Sequence, residues 1–316
     1  MVQTPILTVT LNPALDLATS ADEVRAGPKL RCEAPRADAG GGGINVSRVI
    51  HRLRGESTAF VALAGPTGDR VEALMRKERL SVERHEAPAE TRQSLSVTDR
   101  STGRQFRFVM PGPAWTKAAA RALGDAIVRA APAGGYVVLS GSLPPGIAPD
   151  LPAQMARRIA PAGGRLILDT SGETLSRAAA TRHPAHVLRM DEAEAEALAG
   201  ARLPSRRDSA DFAESLVRRG AARVVVIARG AEGSVLVTAE GRWFAEAADV
   251  PVASKIGAGD SFLAAFTLAL ARGRALPRAL QEGMAAASAT VMTEATELCH
   301  AADVRRLIAA CPVTPI

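Results

Sequence analysis

Short apolar runs alternate along this chain with longer stretches in which apolar positions recur every three or four residues. The runs at 6–11, 57–63, 136–140, 165–169, 187–190 and 223–228 are rich in Val, Ile and Leu. Continuous runs of this length predict strands buried on both faces. Helical spacing fills 70–80, 117–130, 151–160, 192–199 and 208–218. Such alternation predicts an α/β fold with a parallel sheet covered on both faces, and its ligands belong beyond the carboxyl ends of the strands. Asp16, Ser142 and Asp169 all fall just after predicted strands. Two segments, 17–37 and 91–111, depart from the pattern by alternating polar and apolar residues with little helical character.

Two glycine turns stand where the pattern switches to helix. Gly257-Ala258-Gly259-Asp260 precedes the apolar run 262–270, and Gly40-Gly41-Gly42-Gly43-Ile44-Asn45 opens a helix through Val49, Ile50 and Leu53. Glycines at a helix start let backbone N–H groups approach an anion, and the helix dipole favours the negative charge. A carboxylate at the end of such a turn is placed to take a proton from an alcohol attacking a phosphate. Phosphoryl transfer to a hydroxyl is the reaction class implied. Asp260 also reads as an ordinary helix N-cap, and both readings stand at this level.

Bulk properties narrow the class. The chain has 316 residues, 47% of them hydrophobic, enough for one large core. Its net charge of +6 comes mostly from scattered arginines, and aromatics make up only 3%, so a stacking platform for nucleic acid is not expected. No apolar run is long enough to span a bilayer and no basic-then-apolar leader pattern opens the chain, so the expected compartment is the cytoplasm. Cys32, Cys299 and Cys311 are odd in number and form no C-x-x-C pair, which reads as reduced thiols. His183 and His186 are three apart, but Pro184 breaks the helical register, so they read as a surface loop and not as metal ligands.

The glycine turns, together with Thr10-Leu11-Asn12-Pro13-Ala14-Leu15-Asp16, Lys29-Leu30-Arg31, Thr91-Arg92-Gln93, Phe106-Arg107-Phe108-Val109-Met110-Pro111-Gly112 and Leu139-Ser140-Gly141-Ser142-Leu143-Pro144-Pro145-Gly146, resemble the PfkB (ribokinase-like) sugar kinase family. The resemblance runs in order over 6–299. It implies a ribokinase-like three-layer sandwich, one domain over 1–316, with 17–37 and 91–111 forming a small β-lid that pairs with the lid of a second copy in a homodimer. The implied reaction is ATP- and Mg2+-dependent phosphorylation of fructose 6-phosphate at its C1 hydroxyl. Related acceptors, fructose 1-phosphate or tagatose 6-phosphate, and a non-catalytic sugar-phosphate sensor are the alternatives.

The family motifs carry roles onto this chain residue by residue. Asp260 becomes the base, with Gly257, Ala258 and Gly259 as the anion hole and Lys29 assisting catalysis. Asp16, Asn45, Ser142 and the turn Gly40, Gly41 and Gly42 become sugar contacts, and Lys29, Arg31 and Arg92 hold the acceptor's phosphate. Arg189, Asp191, Arg229, Gly230, Gly233, Lys255, Gly257 and Gly259 face the nucleotide. Asp191 and Glu194 stand where family members show Asn-x-x-Glu, and the role implied for them is an indirect hold on magnesium.

Departures from the family pattern sit mainly on the donor side. Arg189-Met190 replaces Lys-Pro, Ala228 replaces a hydroxyl residue, and Ala295 replaces a glycine. Gly42 occupies a position at which related kinases carry lysine. Lys255 stands where threonine is common, beside the place at which ribokinase-like enzymes often bind an alkali cation. The resemblance gives Lys255 two readings: a tethered ammonium in place of that cation, with turnover insensitive to potassium, or a side chain directed to solvent or to the donor's phosphates.

Overall fold

Along Tyr136–Ser140 successive side chains enter two different cores. Tyr136 and Val138 face one hydrophobic cluster, Val137 and Leu139 the other. The same period of two divides Val224 and Val226 from Val225 and Ile227. A strand cannot bury both faces unless something apolar covers each, so the continuous runs demand helices on both sides of the sheet.

This computed structural model describes residues 3–182, 184–294 and 296–316, and His183 and Ala295 lie outside the described residues. The strands are β1 Ile6–Thr10, β2 Ala14–Ala21, β3 Arg36–Gly40, β4 Thr58–Leu63, β5 Ser81–Glu86, β6 Arg92–Asp99, β7 Gln105–Val109, β8 Tyr136–Ser140, β9 Arg165–Asp169, β10 Ala185–Asp191, β11 Ala222–Ala228, β12 Gly233–Val237, β13 Arg242–Glu246 and β14 Val313–Pro315. The helices are α1 Gly42–Arg52, α2 Gly65–Lys77, α3 Lys117–Ala130, α4 Leu151–Ile159, α5 Gly172–Ala180, α6 Glu192–Ala199, α7 Arg206–Arg218, α8 Ala258–Ala271, α9 Leu276–Val291 and α10 Ala301–Leu307.

Among the described residues the main sheet runs β14-β13-β12-β11-β10-β9-β8-β1-β4-β5, parallel from β11 to β5 and antiparallel at the β12–β14 edge. Helices α3 to α7 cover one face and α1, α8, α9 and α10 the other. The result is the mainly parallel three-layer sandwich that the alternation implied.

A second sheet, β3-β2-β6-β7, arises from the two alternating segments. Its strands extend beyond the expected limits, since β2 begins at Ala14 and β3 ends at Gly40. Between them, residues 22–35 form no strand apart from an isolated bridge between Ala21 and Cys32. A third cluster, with Leu15 and Ala39 from the small sheet and Val71 and Met75 from α2, fixes this sheet to the main body.

Three sequence expectations are corrected. The helix expected at 70–80 begins at Gly65 and ends at Lys77: Pro66 suits the first turn, and Arg79, at φ 61°, takes the left-handed conformation that stops it. His186 is not in a surface loop but in β10, its ring 6.0 Å from that of Tyr136. Burial, reinforced by Arg165 and Arg223, holds its imidazole down to about 4. Arg229, expected to face the nucleotide, is instead a buried tether. Its Nη1 donates to the Leu203 carbonyl at 2.9 Å and to Ser209 Oγ at 2.6 Å, and Nη2 donates to the Pro204 carbonyl at 3.2 Å. Ion pairs to Glu192 and Glu232 complete its bonding, so the guanidinium has no donor left for a phosphate.

Removing Arg229 leaves the Leu203 and Pro204 carbonyls and Ser209 without their donor, at about 1–3 kcal/mol for each buried group left unpaired, whereas Glu192 and Glu232 are exposed enough to be solvated. Arg229→Ala is therefore expected to lower the thermal midpoint sharply while leaving nucleotide affinity of the folded fraction nearly unchanged. Calorimetry together with nucleotide titration checks this, and a stable variant that has lost nucleotide affinity would restore the binding role.

Candidate active site

The carboxyl ends of β8, β9 and β10 bring three polar side chains into one row. Ser140 is in register with Asp169, and Asp169 with Arg189. Arg189 Nη1 pairs with Asp169 Oδ1 at 3.1 Å. Above this row lies the N-terminus of α8. Gly257 caps it at φ 76°, a left-handed conformation that glycine adopts without strain. Gly259 lies so close to Arg189 that an added Cβ would come within 2.9 Å of Nη1.

Asp260 occupies the first turn of α8. Asn45 Nδ2, from α1, donates to its Oδ2 at 2.9 Å, and Ser140 Oγ donates to Oδ1 at 3.4 Å. Burial and the nearby Asp169 push its carboxyl up to about 6, against the lowering effect of Asn45, Arg189 and Ser140. A carboxyl held there is ionised at neutral pH yet basic enough to accept a proton.

Two cavities meet at this helix end. The first, about 400 Å³, is walled by Asp16, Gly41, Gly42, Asn45, Arg92, Ser94, Arg107, Lys255, Gly257 and Asp260 among others. Strand register explains its polar wall: Asp16 pairs with Ser94, Ser96 pairs with Arg107, and Arg92 lies two residues before Ser94, so all project from one face of the small sheet. Burial raises the Asp16 carboxyl, opposed by the charges of Arg92 and Arg107. Gly40 lies against that carboxylate, and Gly42 lies against Ser140, where any side chain at either position would collide. Arg92 spends most of its donors on the Asn12 and Met110 carbonyls at 3.1–3.2 Å and on Ser94 Oγ at 3.3 Å.

The second cavity, about 480 Å³, is walled by Arg189, Asp191, Gly230, Gly233, Lys255, Ala258, Gly259 and Phe262 among others. Asp191 and Glu194 form a capping box on α6: Glu194 N donates to Asp191 Oδ1 at 2.8 Å and Asp191 N to Glu194 Oε2 at 2.9 Å. Each carboxylate keeps one oxygen free. No cluster of three His, Cys, Asp or Glu side chains stands ready for a metal among the described residues. The two carboxylate oxygens left at the α6 N-terminus are hard donors of the kind that suits a water-mediated contact with a hard cation such as magnesium. A larger cavity, about 540 Å³, lies at the opposite ends of the strands among Arg157, Arg165, His186 and Arg223, away from both glycine turns.

Several expected site residues are not brought together. Lys29 and Arg31 are exposed on the strand-poor stretch between β2 and β3, and neither lines either of these two cavities. Ser142 is exposed and accepts a hydrogen bond from Asn12 Nδ2 at 3.1 Å; the serine that reaches Asp260 is Ser140, because it ends β8 in register with Asp169. Arg107 lines the first cavity although the sequence motifs assign it no role. Its signal was present in the alternation: counted across the antiparallel β6–β7 pair, it falls on the face of Ser94 and Ser96.

Comparison with known proteins identifies the family. The model of the pfkB family of carbohydrate kinases matches residues 10–302. The chain is 38% identical over 301 residues to the ATP-dependent 6-phosphofructokinase isozyme 2 of Mycobacterium tuberculosis (strain CDC 1551 / Oshkosh), covering 95% of this chain and 88% of that protein. It is 36% identical over 304 residues to the isozyme of the same name from Escherichia coli (strain K12), covering 96% and 98%. The crystal structure of Escherichia coli phosphofructokinase-2 in complex with fructose-6-phosphate superposes with a TM-score of 0.89 at 36% identity, covering 97% of this chain and 98% of that one. A row of polar residues at the strand ends, two glycine turns, a buried carboxylate at a helix N-terminus and these likenesses converge: the chain belongs to the pfkB family of carbohydrate kinases.

Proposed function

We propose that this chain transfers the terminal phosphoryl group of ATP to the C1 hydroxyl of fructose 6-phosphate, giving fructose 1,6-bisphosphate. The observation that carries the reading is Asp260, which stands in the first turn of α8 where an arginine-lined cavity meets a glycine-walled one. The cavity with Asp16, Asn45, Arg92 and Arg107 takes the sugar, its hydroxyls on Asp16 and Asn45 and its phosphate toward the two guanidiniums. The cavity with Gly230, Gly233 and Gly259 takes the nucleotide.

Asp260 removes the C1 hydroxyl proton as that oxygen attacks, and the N–H groups of the α8 N-terminus stabilise charge on the moving phosphoryl. Magnesium bound with ATP neutralises phosphate charge, and Asp191 and Glu194 reach it through water. The chain works as one domain over 1–316 with the small sheet as its lid, and a homodimer forms through that sheet. Leu30, Phe106, Phe108, Val109 and Met110 support this, since each is between 38% and 63% exposed on one small structure. A tetrameric inhibited form is described for Escherichia coli phosphofructokinase-2. The enzyme belongs in the cytoplasm, a reading that the free thiols of Cys32, Cys299 and Cys311 suit. ADP release measured across fructose 6-phosphate, fructose 1-phosphate and tagatose 6-phosphate tests the acceptor, and turnover confined to either of the latter two would replace it.

Asp260→Asn is expected to lower kcat by about 10²- to 10⁴-fold with little change in fructose 6-phosphate binding. In the wild type, kcat/KM should fall tenfold per unit as pH drops below about 6, because the base is then protonated. Stability runs the other way. With the folded pKa of about 6 above the ordinary 3.8, folding takes up a proton, and that favourable contribution is lost as pH rises through 6. The Asn variant should therefore melt higher than wild type at pH 8, with the gap narrowing as pH falls below about 6 and closing near the ordinary 3.8; an undiminished kcat would remove Asp260 from the mechanism.

Arg107→Ala should weaken fructose 6-phosphate by about 10- to 100-fold, from a charge-assisted contact of about 1.5–3 kcal/mol, and unphosphorylated fructose hardly at all. Arg92→Ala should weaken phosphate recognition and also lower the melting temperature, because its bonds to Asn12 and Met110 close the small sheet over β6. Equal losses for fructose and its phosphate in Arg107→Ala would assign that residue to the lid's fold alone.

A further inference from the structure

The residues that wall the two cavities form separate sets with one member in common, Lys255. It precedes the Gly257 turn by two residues, is exposed, and has no side-chain hydrogen bond or ion pair among the described residues. Of the neighbouring cations, Arg107 projects from the small sheet into the acceptor cavity only, and two others are already committed. Arg189 is paired with Asp169 beneath Gly259, and Arg92 bonds to two backbone carbonyls and a serine. Lys29, the lysine that the sequence assigned to catalysis, stands on an exposed stretch that lines neither cavity. The boundary between the cavities thus carries one free ammonium, on the chain segment that leads into the anion hole.

During transfer, the bond from the terminal phosphorus to the bridging oxygen of ADP breaks as the bond from C1 oxygen to phosphorus forms, and the hydroxyl proton passes to Asp260. The phosphoryl group in flight must cross the boundary between the cavities, with charge spread over its three outer oxygens. An ammonium there, with three donors on a flexible stem, can follow the group from donor to acceptor in a way that a guanidinium locked in an ion pair cannot.

We propose that Lys255 is a catalytic residue that contacts the phosphoryl group in transit and bridges the donor and acceptor sites. This rests on the kinase reading above. It differs from a role as a stand-in for an alkali cation, which would supply a fixed charge without contact to the moving group. It differs also from simple ATP binding, because a contact strongest in the transition state acts on kcat more than on KM.

The test compares the full-length wild type with Lys255→Met, which keeps the length of the stem and removes the charge, and with Lys255→Arg. Loss of one preorganised donor at the developing charge costs about 10²- to 10³-fold in kcat, so Lys255→Met should fall by that amount. KM for both substrates should change less than about fivefold, as expected for a contact made mainly in the transition state. The melting temperature should stay unchanged, Lys255→Arg should recover part of the rate, and ethylammonium added to Lys255→Met at constant ionic strength should restore turnover in a saturable way. A kcat in Lys255→Met within threefold of wild type overturns the proposal. So does a defect confined to the KM for ATP, or a slow variant that melts lower and gains nothing from the amine. A wild type that turns over no phosphosugar overturns the kinase reading itself, and that failure is visible before any variant is compared.

Discussion

Two carboxylates held near each other at the end of a parallel sheet are the constraint on which this site depends. Asp169 and Asp260 repel, and that repulsion adds to burial in raising the Asp260 carboxyl to about 6. Arg189 relieves the arrangement by pairing with Asp169 and lying directly under the first turn of α8. The guanidinium can take that place only because residue 259 has no side chain. Glycine there thus serves two ends, leaving the backbone N–H groups open to an anion and making room for the guanidinium that pairs with Asp169 beneath Asp260.

Such an arrangement needs a rigid frame, because a low-dielectric site amplifies small displacements of charge. The frame is α8 itself. It is buried over nearly its whole length, with Phe262 and Phe266 stacked at 5.7 Å and packed with α1 and α9 against the sheet. That explains why the run 262–270 is apolar without the one-sided pattern of a surface helix: it has no solvent face to mark. It also explains how Asn45, on α1, can hold Asp260 from across the layer. The two helices share one core, so their polar N-terminal ends are fixed relative to each other by apolar contacts farther along.

What the sequence made legible follows from the range over which each signal acts. The buried strands β8, β9 and β11 were readable because continuous apolar runs are local. The glycine turns and Asp260 were readable because a turn and the helix it opens are contiguous. Side chains whose role depends on what crosses over them were not. Ser140 and Ser142 sit two residues apart in one motif, and only the register of β8 with β9 decides that Ser140 reaches the base. Arg229 stands in a glycine-flanked loop typical of a phosphate contact, yet the α6–α7 connection folds its carbonyls around the guanidinium, an event more than twenty residues away in sequence. Strand β5 was invisible for a different reason: it is an edge strand, largely polar, and carries neither a continuous run nor a clean alternation.

The departures from the family pattern acquire a common logic once Gly42 and Lys255 are considered together. At position 42 a side chain would run into Ser140, the residue that helps to hold Asp260. A lysine there would bring its charge to the floor of the sugar cavity at the expense of that serine's position. With glycine at 42, Ser140 keeps its bond to Asp260 and no cation stands at that point of the wall. Positive charge enters the cavity from Arg92 and Arg107 on the lid side and from Lys255 at the boundary with the nucleotide side. The cations of this cavity therefore stand on the small sheet and at the boundary, apart from the glycine turn and Asp260. Charge distributed in this way favours an acceptor whose phosphate is distant from the attacking hydroxyl, because a phosphate beside that hydroxyl would lie near Asp260 and oppose its ionisation.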